Sequence, residues 1–305
     1  MSQKDIKNVA ASVRQRLKNL MERDHRTFEE LLVYYAMERF LYRLSRSPHS
    51  QRFVLKGALM LTVWEAPLAR PTRDIDLLGF GDNDVKAIVT TIREVCTAKV
   101  ESDGIIFNPD SVTGVRIKED ADYEGVRVTF DGKLDTAKAR MQIDVGFGDI
   151  VVPEATDIDY PTLLGHPAPH LRGYSMVSVV AEKFEALVQL DLLTSRMKDL
   201  HDICYLGRNF DFDGALLAQA IHETFVNRGT ELTARPTVFT ARFYKDADKA
   251  KQWTAFKRRL RESDAPAEVG EVVQQIDEFL MPVVGAIVED VPMTGSWSAG
   301  SGWSL

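Results

Sequence analysis

Two aspartates one residue apart, Asp74 and Asp76, lie in the run Arg70-Pro-Thr-Arg-Asp-Ile-Asp-Leu. On a strand, residues i and i+2 point to one face. The two carboxylates would then stand side by side while Ile75 turns into the core. Adjacent anions repel and are costly to ionise together. A divalent cation removes that cost, and hard carboxylate oxygens suit Mg²⁺, with Mn²⁺ as the alternative. The same short pattern also fits two solvated aspartates at a sheet edge.

Asp144 interrupts the apolar run Met141-Gln-Ile-Asp-Val. A carboxylate inside a central strand needs a partner; otherwise Asp144 faces solvent. If its strand neighbours that of Asp74 and Asp76, the cluster gains a third carboxylate. Such a cluster can hold two metals, one activating an attacking hydroxyl and one holding a triphosphate. Thr72 shares the face of Asp74, and a phosphate on Thr72 would compete for the metal.

Other residues offer contacts for phosphate. Lys56-Gly57-Ala58 lies where an extended segment turns helical. Small residues there allow close backbone approach, and helix N-termini attract anions; the alternative is plain helix packing. Arg70 and Arg73 either clamp phosphate or balance Asp74 and Asp76. Lys183, in Ala181-Glu-Lys-Phe, flanks an apolar stripe. It either snorkels or reaches across a hinge to phosphate. Asp199 and Asp202 share a helical face at i,i+3. They either orient Lys183 or Arg196, or cap and solvate their helix.

The elements that must position these residues fall into two textures. Residues 5–45, 54–63 and 83–96 carry helical periods. Residues 74–78, 115–117, 126–130 and 140–145 read as strands, the last two as a hairpin about Asp131-Gly132. From Ser175 the pattern is nearly all helical, through Leu206 and then over 213–226, 237–262 and 268–288. The expected fold class is α+β: a mixed sheet with flanking helices, followed by a mostly α-helical C-terminal domain. Expected boundaries are 1–165 and 170–292, with a hinge over 157–169 and a mobile Gly/Ser-rich tail over 293–305.

In order, Gly57-Ala58, Arg70-x-Thr-x-Asp-Ile-Asp-Leu, Ile143-Asp-Val, Ala181-Glu-Lys and Lys198-Asp-Leu-x-Asp-Ile resemble the AbiEii/AbiGii-type nucleotidyltransferase toxins. These belong to the DNA polymerase β-like nucleotidyltransferase superfamily and have the MenT toxins as relatives. The resemblance spans residues 54–206. It implies transfer of a nucleotide from an NTP to an RNA end, the 3′ end of tRNA in relatives, with pyrophosphate released. It also implies a cognate antitoxin. By motif match, Asp74, Asp76 and Asp144 would bind metal, Gly57 would approach the phosphates, Lys183 would contact the triphosphate, and Asp199 would be the later family aspartate. Ala58 departs from the family's usual Gly-Gly or Gly-Ser, which removes a hydroxyl contact. A protein nucleotidylyltransferase, a sugar-nucleotide transferase and a degenerate binding module are the competing readings. The sugar-nucleotide reading leaves Asp144 and Lys183 unexplained.

Composition sets the outer limits. The chain has 305 residues, with 38 basic and 45 acidic, a net charge of −7. That balance excludes a polybasic nucleic-acid coat, whose affinity comes from many phosphate contacts. Cys96 and Cys204 are too few for a disulfide or metal framework. The longest apolar run, Phe279–Val288, is ten residues, too short for a membrane span. A soluble cytoplasmic protein is expected. Residues 242–261 hold eight Lys/Arg interleaved with Phe243, Tyr244, Trp253 and Phe256. The stretch is either an RNA-backbone surface, with Lys257, Arg258, Arg259 and Arg261 as contacts, or an amphipathic helix.

Overall fold

A computed structural model describes residues 8–64, 72–119, 123–260 and 265–304. The chain divides into two compact units, Met1–Gly148 with Thr156–Gly173, and Asp149–Ala155 with Tyr174–Leu305.

The first unit opens with α1 (Val9–Asp24) and α2 (Phe28–Arg46), N-capped by the side chains of Asn8 and Thr27. Most of α2 is buried, so its charged residues are paired. Arg43 donates to both oxygens of Asp103 at 2.7 and 3.0 Å, and Arg39 lies 2.9 Å from Glu38. Then follow β1 (Phe53–Lys56), α3 (Leu59–Val63), β2 (Asp74–Gly79), α4 (Val85–Cys96), β3 (Ile105–Glu119), β4 (Tyr123–Leu134), β5 (Ala137–Phe147), β6 (Thr156–Asp159) and β7 (His170–Gly173). These strands form one mixed sheet in the order β3-β4-β5-β2-β1-β7-β6. The pairs β2/β5 and β1/β7 are parallel, and the others antiparallel. Phe40 of α2 packs against Phe107 and Phe130 on the inner face.

Three expectations change here. Val54–Lys56 is strand, not helix. Every residue of β1 is buried, as suits a strand flanked by two others. Residues 157–169, expected between the two domains, lie within the first unit, where they hold part of β6 and the connection to β7. The β4–β5 turn is at Asp135-Thr136, because Leu134 pairs with Ala137. Gly132 stays within β4, where a Cβ would meet the Phe107 ring at 3.2 Å.

The second unit contains α5 (Met176–Leu190), α6 (Met197–Asn209), β8 (Phe212–Asp213), α7 (Gly214–Arg228), α8 (Ala241–Tyr244), α9 (Ala247–Lys257), α10 (Val269–Val288), β9 (Ser296–Ser298) and β10 (Gly302–Ser304). Its core gathers Phe184, Leu200, Leu217, Phe243, Trp253 and Leu280. The helix expected over 237–262 is broken, and Asp246 caps the N-terminus of α9. The segment read as a mobile tail carries β9 and β10, a hairpin that joins β8 in a small sheet. Its two indoles hold it there. Trp297 Nε1 donates to the Gly207 carbonyl at 2.6 Å and Trp303 Nε1 to that of Phe279 at 3.0 Å. Both rings also pack against Phe279, Trp303 stacked on it and Trp297 tilted to it. No helix among the described residues is long and apolar enough to cross a membrane.

Candidate active site

The burial of β2 alternates. Ile75 and Leu77 are fully buried, while Asp74 and Asp76 on the other face are half-buried. The parallel neighbour β5 places Gln142 opposite Asp74 and Asp144 opposite Asp76. Side chains opposite one another in register leave the same face. The result is one carboxylate cluster: ligand oxygens of Asp74, Asp76 and Asp144 all lie within 4.8 Å of one another. Three hard oxygen donors this close suit a divalent cation of the Mg²⁺ type.

Gly57 follows β1 and holds the cluster from the other side. Its φ is +71°, a conformation that favours glycine. A Cβ there would stand 2.1 Å from Asp76 Oδ2. Lys56 is buried and opposite Asp76 in the β1–β2 register. Ala58 precedes α3, which is only five residues long, so little helix dipole is available at Gly57-Ala58.

Thr72 is buried, and its hydroxyl donates to Asp74 Oδ1 at 2.6 Å. Its backbone N–H donates to the Tyr34 hydroxyl at 3.0 Å. Arg73 is exposed and reaches Glu29 at 3.5 Å. Arg70 lies outside the described residues.

Sequence reasoning missed Arg127. It stands opposite Asp144 in the β4–β5 register and donates to both its oxygens, Nε to Oδ1 at 2.8 Å and Nη2 to Oδ2 at 2.7 Å. The signal that would have found it is the register. A turn at Asp131-Gly132 pairs Asp144 with a different residue, and only the turn at Asp135-Thr136 aligns it with Arg127.

Lys183 and Asp199 meet in the second unit. Lys183 Nζ lies 2.7 Å from Asp199 Oδ1 and 2.8 Å from Asp202 Oδ2. Both aspartates are buried on α6. Arg196 Nη1 donates to Asp199 Oδ2 at 3.1 Å, and His201 Nδ1 lies 3.2 Å from Asp202. Burial works to raise the Asp199 carboxyl, but Lys183, Lys198 and Arg196 outweigh it and hold it below the usual range. Lys183 is thus an ion-paired residue rather than a snorkelling one, and Asp199 and Asp202 orient it.

The basic stretch separates by residue. Phe243 and Trp253 are buried in the core. Lys249 is buried too, its Nζ donating to the Leu192 and Thr194 carbonyls. Arg258 and Arg259 are exposed, and Lys257 is half-exposed at the end of α9. Arg261 lies outside the described residues.

The family described as nucleotidyl transferase AbiEii toxin, type IV TA system, matches residues 39–280. The chain belongs to the AbiEii family. Membership makes it a toxin-family nucleotidyltransferase and implies a cognate antitoxin. The match encloses Gly57, all three clustered aspartates, Lys183 and Asp199. Two solved structures are similar to this AbiEii protein. One is a Helicobacter pylori protein described as a candidate nucleotidyltransferase, 16% identical, covering 87% of this chain and 97% of that one at a TM-score of 0.47. The other is JHP933 from Helicobacter pylori, 15% identical, covering 87% and 94% at a TM-score of 0.47. A search of curated proteins found no match.

Proposed function

We propose that this AbiEii protein is a metal-dependent toxin that transfers a nucleotide from an NTP to RNA, with the 3′ end of tRNA as acceptor. The observation that supports this best is the close approach of Asp74, Asp76 and Asp144 on adjacent parallel strands. In the reaction the acceptor hydroxyl attacks the α-phosphorus, the bond to the β-phosphate breaks, and pyrophosphate leaves. Asp74, Asp76 and Asp144 would hold Mg²⁺ or Mn²⁺, which when bound neutralises triphosphate charge and favours the ionised acceptor hydroxyl.

The chain's own residues do the positioning. The ladders of β2 and β5 fix the carboxylates, and the Thr72 hydroxyl fixes the rotamer of Asp74. Gly57 keeps the β1 end open beside Asp76, where Lys56, the backbone of Gly57 and that of Ala58 are the proposed triphosphate contacts. Arg70 and Arg73 are further candidates for phosphate, as is Lys183. Lys257, Arg258, Arg259 and Arg261 are the proposed RNA-backbone contacts, each a local charge on an acidic chain. Modification of tRNA would stop translation and growth in the cytoplasm, and the cognate antitoxin would relieve it.

The test incubates the full chain with each labelled NTP, Mg²⁺ and either total RNA or total protein. Label in RNA that disappears with Asp74→Ala supports the proposal. Label confined to protein would replace it with nucleotidylylation of a protein hydroxyl. No label in any fraction from folded, non-toxic protein would leave a binding module.

A further inference from the structure

Asp144 is held by donors on both of its oxygens. Arg127 donates to both its oxygens, at 2.8 and 2.7 Å. Gln142 Nε2 lies 3.4 and 3.2 Å from the same two atoms. A carboxylate offers about four lone-pair sites. The guanidinium fork takes one on each oxygen, and the Gln142 amide approaches those that are left. A cation drawing on Asp144 must therefore displace a donor that is already there.

The geometry says which donor gives way. Arg127 and Asp144 are fixed opposite each other by the β4–β5 ladder, so only side chains need move. The Asp144 side chain is 7% exposed and that of Arg127 is 41% exposed. The arginine has solvent to move into, and the aspartate does not. A guanidinium also keeps its charge at any working pH. It competes for the carboxylate as a permanent cation, whereas a neutral donor would only orient it.

We infer that Arg127 competes with a divalent cation for Asp144 and yields at least one Asp144 oxygen when the ion binds. This rests on the metal reading of the cluster. Arg127 is a positioning residue. It keeps the third carboxylate aimed by its two-pronged contact, and it weakens the site's hold on metal by its own charge. A purely structural arginine would have the opposite effect, because losing it would disorder Asp144 and loosen the metal.

The experiment titrates Mn²⁺ into the full chain by electron paramagnetic resonance, with thermal melting as the check on folding. The proteins are wild type, Asp74→Asn, Arg127→Gln and Arg127→Lys. Removing one positive charge a few ångströms from a dication is expected to tighten Mn²⁺ binding about tenfold in Arg127→Gln. Arg127→Lys keeps the charge but loses the two-pronged geometry, so it should tighten binding by less, in the same direction. Unchanged or weaker binding in folded Arg127→Gln overturns the inference and leaves the metal site standing. If Arg127→Gln does not fold, the direction of the change in Arg127→Lys decides in the same way. Wild-type protein that binds no Mn²⁺, or binds it undiminished by Asp74→Asn, overturns the metal reading and this inference with it.

Discussion

Gly57 lies against Asp76 so closely that a Cβ on residue 57 would stand 2.1 Å from the Asp76 Oδ2 atom. One residue with no side chain thus links β1 to the carboxylate cluster. It also adopts φ +71°, which adds about 1 kcal/mol of strain for any other residue. Gly57→Ala must therefore push Asp76 aside or distort the end of β1. The expected outcome is a loss of nucleotidyl transfer of at least about a hundredfold, with stability down by about 1–3 kcal/mol. Labelled-NTP transfer and urea denaturation of the same preparation measure the two. Full activity would show that the close approach has no part in the chemistry.

The clustered carboxylates should behave in the reverse way. Asp74→Asn and Asp76→Asn each remove charge from a site where like charges repel. Each should cost about a thousandfold or more in transfer rate while the melting temperature holds or rises, the usual exchange of stability for function. Chelation with EDTA should abolish transfer, and added Mg²⁺ should restore it. Mg²⁺ should also raise the wild-type melting temperature but not that of Asp74→Asn. A melting temperature insensitive to Mg²⁺ in both would remove the cation from the site.

Lys183 stands between two buried aspartates, 2.7 Å from one and 2.8 Å from the other. Removing its charge leaves Asp199 and Asp202 without their shared cation. Lys183→Met should cost about 3–5 kcal/mol, the usual penalty for breaking a buried ion pair by removing one partner. Asp202→Asn added to that background should recover part of the loss. Urea denaturation of the single and double variants measures this coupling. Activity lost beyond the unfolded fraction would mark a separate role for Lys183 at the triphosphate.

The carboxylate cluster is more legible in the sequence than the strands that carry it. Asp74 and Asp76 could be placed on one face from strand alternation alone, and the isolated charge of Asp144 among apolar neighbours marked it as needing company. Arg127 could not be found that way. It depends on the β4–β5 register, which in turn depends on where the hairpin turns. Gly132 reads as a turn residue, but it lies in the strand, paired with Phe107 and Ala139, and the Phe107 ring fills the space beside it. Val54–Lys56 reads as helix because a strand buried on both sides has no alternation to show. The C-terminal residues read as mobile from their Gly and Ser content, yet Trp297 and Trp303 anchor them on Phe279. Composition is blind to what a ring finds to stack on.

Glu38 provides a pH test of the first unit. Burial raises its carboxyl to about 7, against the pull of Arg39 and the Leu163 N–H, which donates to Glu38 Oε2 at 2.7 Å. The unfolded chain titrates this group near the ordinary glutamate value, so between about 4.3 and 7 the folded state holds more protons. Stability from this group is therefore fully present below that window and is lost as pH rises through 7. The loss amounts to about 2–4 kcal/mol across the window. Glu38→Gln keeps the shape and the acceptor for Leu163 but cannot titrate. Its stability should fall less than wild type's as pH rises from 4.5 to 7.5, measured by urea denaturation at each pH. Parallel pH profiles for the two proteins would mean that Glu38 stays ionised throughout and that Arg39 outweighs its burial.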